Sequence, residues 1–197
     1  DTLELVDQLA ALRVRVRLSR LGAPGSNLEQ LARARVAAAL AAVNEPAMRH
    51  AILNTGAGVL ADAGLLDEAE ALLARELEHS HSPYYFMHNL AKIEKRRGDA
   101  KRALDWYERA WNEAPGSATR LQWGATYLQG LVDFAPQDAE RLNRLSGKII
   151  EQLSAMDDAA CRRNRTQLER IDARLALWDG SAESVVALRT LVRRKLG

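Results

Sequence analysis

Cysteine is almost missing from this sequence. Its 197 residues include a single cysteine, Cys161. A disulfide within the chain and a dithiol redox pair both require two cysteines, so the sequence excludes both. We interpret Cys161 as a small apolar residue at a helix start, buried and inert, because lone cysteines are usually of that kind. A reactive thiol beside Arg162, Arg163 and Arg165 is the alternative.

Aromatic residues and long apolar runs are also scarce. Phe, Trp and Tyr make up 5% of the chain. A typical apolar run, Val36 to Val43, has eight residues, whereas a membrane-spanning helix needs about 20. We therefore expect no membrane insertion. β-Branched residues are few and Ala, Leu, Arg and Glu dominate, which favours helices nearly throughout.

An excess of one charge is missing as well. Lys and Arg number 28 against 26 Asp and Glu, a net charge of +2. Binding to nucleic acid needs a concentrated basic stripe. The basic groups 162–165 and 193–195 are short, and the second closes a predicted helix, where cations are favoured in any case. We expect no nucleic-acid partner.

Residue patterns that carry chemistry are missing too. The sequence has no glycine-rich phosphate loop, nucleophile elbow or Ser/His/Asp grouping. His79 and His81 form a spaced pair with His88 further on, but no cysteine pair or carboxylate cluster completes a zinc site. We interpret the pair as solvated loop histidines. We expect no catalytic residue, no metal site and no cofactor.

Acidic residues at the predicted helix starts are interpreted as caps, because the helix dipole favours negative charge in the first turn. They are Asp67, Glu68, Glu70, Asp157 and Asp158. Asp67 and Glu70 have the spacing of a capping box, as do Asn27 and Gln30. Asp99 is a predicted cap after Gly98, which ends the preceding helix.

A repeat of 34 residues is the strongest positive feature. The segment GLLDEA at 64–69 is echoed by GDAKRA at 98–103, and 34 residues is the length of a tetratricopeptide repeat (TPR). The second copy also has small residues at Ala91, Ala103 and Ala110, where the two helices of a hairpin cross closely. Such repeats stack into binding surfaces.

The helical pattern predicts an all-α fold of TPR-like antiparallel hairpins, an α-solenoid with a right-handed superhelix and about nine or ten helices. Residues 13–18 alternate as a strand would, but Leu5, Leu9, Leu12 and Val16 share one helical face, so we predict a helix there. After a break at 22–25, the other predicted helices are 27–43, 46–63, 67–79, 83–97, 100–114, 118–131, 138–154, 159–178 and 182–195.

This pattern divides the chain into three regions. Residues 1–44 form an N-terminal hairpin, and residues 157–197 form capping helices. Between them, 46–154 holds TPR-like repeats at 50–83 and 84–117 with a partial repeat at 118–154. The aromatic residues Trp106, Tyr107, Trp111, Trp123 and Tyr127 are expected to fill the core between these helices.

The first helix of each hairpin lines the concave groove of a TPR array, and the 34-residue register predicts which residues face it. The predicted groove residues are Asn54, Tyr85, His88, Lys92, Lys95, Arg96, Gln122, Thr126 and Gln129, with Gly58 in the same register. The set is polar, rich in amides and positive, which suits an extended acidic segment of a protein or peptide partner. The alternative is an ordinary solvated helix face.

A series of sequence blocks resembles the helical region that follows the thioredoxin domain in bacterial thioredoxin-family proteins of the thiol:disulfide-interchange type. The resemblance covers about residues 46–178. The blocks are GLLDEA (64–69), SHSPYYFM (80–87), KRRGD (95–99), ALDWY (103–107), ATRLQWGA (118–125), LVDFAPQDA (131–139) and NRTQLER (164–170), followed by Trp178.

The resemblance implies a thioredoxin domain with a Cys-x-x-Cys pair upstream of Asp1, a signal peptide before it, and a periplasmic or envelope location. We therefore expect the chain to be a processed or excised part of a longer protein. In that setting it would be a non-catalytic module that docks substrate or partner polypeptides. A structural spacer or homodimerisation domain of the same parent, and a stand-alone peptide-binding TPR protein, remain the alternatives.

Overall fold

A computed structural model describes residues 2–20, 22, 27–156, 161–180 and 182–197, without the side chains of residues 2–4 and 162. All regular structure in these residues is helical. The ten helices are α1 (Thr2–Ser19), α2 (Leu28–Ala41), α3 (Pro46–Asp62), α4 (Leu66–Leu77), α5 (Pro83–Arg97), α6 (Ala100–Glu113), α7 (Ser117–Phe134), α8 (Ala139–Ser154), α9 (Arg162–Leu175) and α10 (Glu183–Leu196). The predicted all-α class is confirmed.

The chain divides into two compact units, Asp1–Arg97 and Gly98–Gly197. This boundary falls inside the predicted repeat 84–117. No helix in the described ranges combines the length and apolar character needed to cross a membrane.

Helix α3 is the centre of the first unit. It packs against α1, α2, α4 and α5, and Ile52, Leu53, Val59 and Leu60 are buried along it. Gly56 permits the contact with α2, because a Cβ atom at that position would lie 2.9 Å from Val36 Cγ1. Leu9, Leu12 and Val16 of α1 are buried. Because a helix brings these three side chains to one face, the alternating segment 13–18 is helical.

Helix α7 is the corresponding centre of the second unit. It packs against α6, α8 and α9, and α10 packs against α8 and α9. Leu121, Tyr127, Leu128 and Leu131 are buried on α7. The helix continues to Phe134, three residues past its predicted end, because Val132 is buried and the amide of Ala135 still donates to the carbonyl of Leu131 at 2.8 Å.

The predicted turn chemistry is partly confirmed. Gly98 adopts φ +82°, and the Asp99 side chain accepts a hydrogen bond from the amide of Arg102 at 2.9 Å, as expected. The capping box at Asn27 is wrong, because Asn27 has a left-handed φ of +78° and its side chain makes no cap bond.

The second predicted capping box is also wrong. Helix α4 begins at Leu66, so Asp67 lies inside the first turn and not before it. Instead of capping, Asp67 and Glu70 receive hydrogen bonds from Arg97 on α5, at 2.5 Å each. The break at 22–25 lies largely outside the described residues, and Asp157, Asp158 and the predicted start of the ninth helix at 159–160 lie outside them entirely.

Candidate binding face of the first unit

The nine predicted groove residues fall in both units. Asn54 is on α3, and Tyr85, His88, Lys92, Lys95 and Arg96 are on α5. Gln122, Thr126 and Gln129 are on α7 of the second unit. Of the nine, Tyr85, Lys92, Lys95, Arg96 and Gln129 are exposed and the other four are half-buried.

A buried carboxylate organises the charged end of the first unit. Asp62, the last residue of α3, is 2% exposed. Arg13 Nε and Arg17 Nε of α1 donate to its Oδ2 atom at 2.6 and 2.7 Å, and Arg96 Nη2 of α5 donates to its Oδ1 atom. We call these four residues the Asp62 cluster. The cluster joins α1, α3 and α5.

The helical spacing explains why these side chains meet. Arg13 and Arg17 are four residues apart and share one face of α1. Gly58 lies one turn before Asp62, and a Cβ atom there would be 2.7 Å from Arg13 Cζ. The absence of a side chain at Gly58 therefore leaves room for the Arg13 guanidinium group over α3.

The arginines outweigh the burial of Asp62 in setting its protonation. Burial alone would raise the pKa of Asp62, but the hydrogen bonds and charges of the arginines lower that pKa from 3.8 to about 2. Asp62 is therefore ionised at neutral pH, and the cluster has three positive charges against one negative.

Lys92 extends this positive surface by one helical turn along α5. Desolvation, followed by repulsion from the three arginines of the cluster, lowers the pKa of Lys92, and attraction to Asp62 opposes the effect. Two of the predicted groove residues, Lys92 and Arg96, thus lie together. Asp62, Arg13 and Arg17 were missed, although a lone acid in the apolar run VLADA (59–63) and an Arg pair at i, i+4 were available signals.

Asn54 lies in a different part of this unit, in a chain of polar contacts between helices. Asn89 Nδ2 donates to Asn54 Oδ1 at 2.9 Å, and Asn54 Nδ2 lies 3.1 Å from His50 Nε2. Ser80 Oγ lies 3.2 Å from the other ring nitrogen of His50. Both ends of the Asn54 amide are therefore engaged within the protein.

Two other residues of α5, Tyr85 and His88, differ in exposure. Tyr85 is 38% exposed, and its ring meets the His50 ring edge-on at 5.9 Å. His88 is half-buried, and burial together with repulsion from Lys92 lowers its pKa from 6.5 to about 3. His88 is consequently neutral at physiological pH and adds no charge to the face.

Two of the three predicted α7 residues make hydrogen bonds inside the second unit. Gln122 Oε1 accepts from Arg163 Nη2 of α9 at 2.9 Å, and Thr126 Oγ1 donates to the Gln122 carbonyl oxygen at 3.1 Å. Gln129 is exposed on the same helix.

Cys161 and the histidine pair are the next residues that the sequence singled out. Cys161 is at the helix start as expected, directly before α9, but it is exposed, so the expectation of burial was wrong; a residue preceding the first turn is not covered by the packed face of the helix. His79 and His81 are exposed loop residues, as predicted.

The aromatic prediction holds in part. Tyr107, Trp123 and Tyr127 are buried, whereas Trp106 and Trp111 are partly exposed. The Arg109 guanidinium lies over the Trp106 ring, 5.0 Å from its centroid. Within the described ranges, no three His, Cys, Asp or Glu side chains are placed to hold a metal ion.

The arrangement of helices resembles two solved structures. Both are crystal structures of a protein from Podosopora anserina described as a kinesin light chain with nearly identical TPR-like repeats, one of them a single-residue variant. Each has a TM-score of 0.58 and 14% sequence identity, covering 96% of this chain and 95% of the other. No protein-family model and no curated protein matches the sequence. The chain therefore has a TPR-like helical-repeat fold, a type that generally forms protein-binding scaffolds.

Proposed function

We propose that the first unit is a protein-interaction module that binds an acidic segment of a partner on the face formed by α1, α3 and α5. The observation that carries this proposal is the surplus of cations at the Asp62 cluster and Lys92. Four positive side chains surround one buried carboxylate, and carboxylates of a partner would balance the remaining charge.

The arginines keep donors available for such a partner. A guanidinium group has five N–H donors, and Asp62 has only two oxygens to share among three arginines. The side chains of Arg13, Arg17 and Arg96 are 30, 57 and 35% exposed. Their positions are fixed by Asp62, so a partner carboxylate meets donors that are already ordered.

Amide contacts are not part of this proposal. Asn54, which the sequence placed in the groove, is engaged with His50 and Asn89, so a partner would have to break those contacts to reach its amide. Recognition by the first unit therefore relies on charge, and binding should weaken as salt is raised.

Peptide binding tests the proposal directly. A fluorescein-labelled ten-residue peptide of alternating Glu and Ser is titrated into the full chain at low salt and followed by anisotropy. Replacing Arg17 and Lys92 together by Glu should weaken binding by at least about tenfold, because like charges then face the peptide. Arg75→Glu combined with Lys101→Glu is the matched control, since it also reverses two charges and both residues are exposed and lie outside the face. Equal affinities for the double variant and the control would refute the charged face.

A structural role is the second candidate, and the burial of Asp62 favours it. A carboxylate that holds arginines from two other helices would act as a clamp even without a partner. Under this alternative the acidic peptide does not bind at all, and substitutions in the cluster change only the free energy of unfolding. Light scattering on the chain tests the related proposal of a homodimerisation domain.

The wider setting is a separate proposal that rests on the sequence blocks at 46–178. We propose that this chain is the helical region of a bacterial thioredoxin-family protein of the periplasm or envelope, where it would dock polypeptides near a dithiol site. The alternative is a stand-alone peptide-binding TPR protein. Sequencing the gene upstream of the codon for Asp1 tests the proposal, since a Cys-x-x-Cys pair is expected there.

A further inference from the structure

The first hairpin has a second surface, on the side of α1 and α2 that faces away from α3. A groove of about 660 Å³ runs between these two helices. Its floor is apolar and is formed mainly by Leu5, Leu9, Leu12, Leu31, Ala38 and Ala42.

Helical geometry places this groove on the side of the hairpin that does not contact α3. Val36 of α2 contacts α3 at Gly56, and Arg13 of α1 lies over α3 at Gly58. Ala38 and Arg15, which line the groove, are each two residues further along their helices. Two residues correspond to a rotation of about 200°. The hairpin therefore presents α3 with one inter-helix groove and leaves a similar groove on its other side.

The α2 wall of the groove is built from small side chains. Alanines at 38, 39 and 42 form the α2 wall, and such small side chains allow another helix to approach closely.

Two arginines border this surface. Arg15 of α1 and Arg35 of α2 line the groove and are exposed. Neither forms an ion pair or hydrogen bond with the part of the chain that the structure describes, whereas Arg33 of α2 pairs with Glu68 at 2.8 Å and Arg17 of α1 pairs with Asp62 at 2.7 Å. Among the side chains that the structure describes, both walls of the apolar floor thus carry a positive charge with no paired carboxylate.

We infer that the α1–α2 groove binds an amphipathic helix of a partner protein, with leucine-type side chains on one face and carboxylates along both borders of that face. The apolar floor supplies the affinity, since an inserted helix would bury the groove residues. Arg15 and Arg35 supply the charge complementarity that selects an acidic helix over a basic one. This site is distinct from the Asp62 cluster.

Two designed peptides of 16 residues probe the groove. Both carry Leu at positions 3, 6, 10 and 13 to form one apolar helical face; the acidic peptide has Glu along the borders of that face and the basic peptide has Lys. Each is labelled with fluorescein and titrated into the full chain by anisotropy. We expect the acidic peptide to bind at least about tenfold more tightly than the basic one, because two unpaired arginines face its carboxylates.

Charge-reversal variants connect the binding to the two arginines. Replacing both Arg15 and Arg35 by Glu should weaken the acidic peptide by at least about tenfold and strengthen the basic peptide. Arg75→Glu, a charge change on α4, should leave both affinities within about twofold. Ala38→Gln should weaken both peptides, because Ala38 lines the groove and a longer polar side chain would occupy its apolar floor. Ala38 is already exposed, so circular dichroism should show an unchanged fold.

Several results would overturn the inference. One is equal binding of the two peptides, and another is an equal effect of the arginine variants and Arg75→Glu. Absence of binding at millimolar peptide would also reject it. Dimerisation that Ala38→Gln abolishes would assign the face to a second copy of this chain. Tight binding to anionic vesicles without peptide binding would assign it to a lipid surface. The variants Arg17→Glu and Lys92→Glu should not affect these peptides, which separates this site from the Asp62 cluster.

Discussion

The Asp62 cluster of the first unit and a cluster around Arg141 of the second unit both join helices, but their central charges have opposite signs. In the first unit a carboxylate, Asp62, is the centre and three arginines surround it. In the second unit an arginine is the centre. Arg141 of α8 donates to Glu108 of α6 at 2.7 Å and to the Tyr127 hydroxyl of α7 at 2.9 Å, and Glu108 also accepts from Arg144 at 3.1 Å.

The two clusters differ in their net charge. In the second unit the two arginines, 141 and 144, face the carboxylates of Glu108 and Asp105, so the charges balance. In the first unit the arginines and Lys92 leave a positive surplus. Ionic clusters in similar helical repeats can therefore hold helices together with or without a net charge. Only a net charge attracts an oppositely charged partner.

The largest expected difference in stability comes from neutralising one carboxylate in each unit, Asp62 in the first and Glu108 in the second. Asp62→Asn should lower the free energy of unfolding by about 2–3 kcal/mol, because arginines held around a buried charge lose their counterion. Glu108→Gln should cost about 1 kcal/mol or less, since its side chain is 27% exposed and its arginines can be solvated.

Urea unfolding measures both effects. All four tryptophans, 106, 111, 123 and 178, lie in the second unit, so tryptophan fluorescence follows that unit while circular dichroism follows the helices of both. Asp62→Asn should shift the dichroism transition more than the fluorescence transition. Equal losses for the two substitutions would contradict the contrast between a buried and a half-exposed cluster.

Acid should destabilise the first unit through the same carboxylate. Because the folded pKa of Asp62, about 2, lies below its ordinary value of 3.8, the unfolded chain binds the proton more tightly. The stabilisation is fully present above about pH 4 and is lost as the pH falls towards 2, by about 2 kcal/mol. Asp62→Asn should remove this loss.

Protonation of His88 should also lower the stability as the pH falls, but it begins at a higher pH. Its folded pKa of about 3 lies below 6.5, so stability should begin to fall below about pH 6.5, and His88→Asn should remove that early part. Urea midpoints measured between pH 7 and pH 2 distinguish the two residues. An unchanged pH profile in Asp62→Asn would show that Asp62 does not have the lowered pKa.

A smaller effect should follow from helix glycines. Gly56→Ala in the first unit should destabilise by about 1 kcal/mol, because the new Cβ atom would lie 2.9 Å from Val36 Cγ1 and overpacking outweighs the gain in helix propensity. Gly147→Ala in α8 of the second unit should stabilise by about 0.5–1 kcal/mol, since no atom lies within 4 Å of its Cβ position. Thermal unfolding of the two variants measures these effects. A change of stability in the same direction for both would contradict the prediction.

Effects of similar size are expected at the helix starts. Asp138→Ala in the second unit should cost about 1 kcal/mol, because the Asp138 side chain accepts from the amide of Arg141 at 3.0 Å, and Ser should restore part of the loss. Asn27→Ala in the first unit should cost about 1 kcal/mol for a different reason, the left-handed backbone at φ +78°. There Gly and not Ser should be the better replacement. Rescue of both positions by Ser would show that Asn27 is a conventional cap.

The order of helices could be predicted from the sequence because the signals are local. Pro83 begins α5 and Gly98 follows its end. Proline after Ser82 is a local signal for a helix start, and the 34-residue echo placed Gly98. The capping boxes could not be predicted with the same success, since the choice between Asp67 as a cap and Asp67 as a partner of Arg97 depends on where α5 packs.

The candidate site was predictable only in part. Lys92 and Arg96 follow from the repeat register, because a regular helix fixes which residues share a face. Asp62 comes from one helix, and Arg13 and Arg17 from another far away in the sequence, so no local pattern links them. The same holds for Asn54, whose spacing suggested an available amide but whose amide is satisfied by His50 and Asn89.

The sequence by itself determined that this chain is helical, contains a 34-residue echo and is nearly balanced in charge, because composition and periodicity act within one or two helical turns. Only the tertiary structure decided which charges cancel. The packing of α1 and α5 against α3 brought three arginines to one buried carboxylate, and the packing of α1 against α2 left Arg15 and Arg35 beside an open apolar groove. Both results depend on distances between helices, which a one-dimensional pattern does not specify.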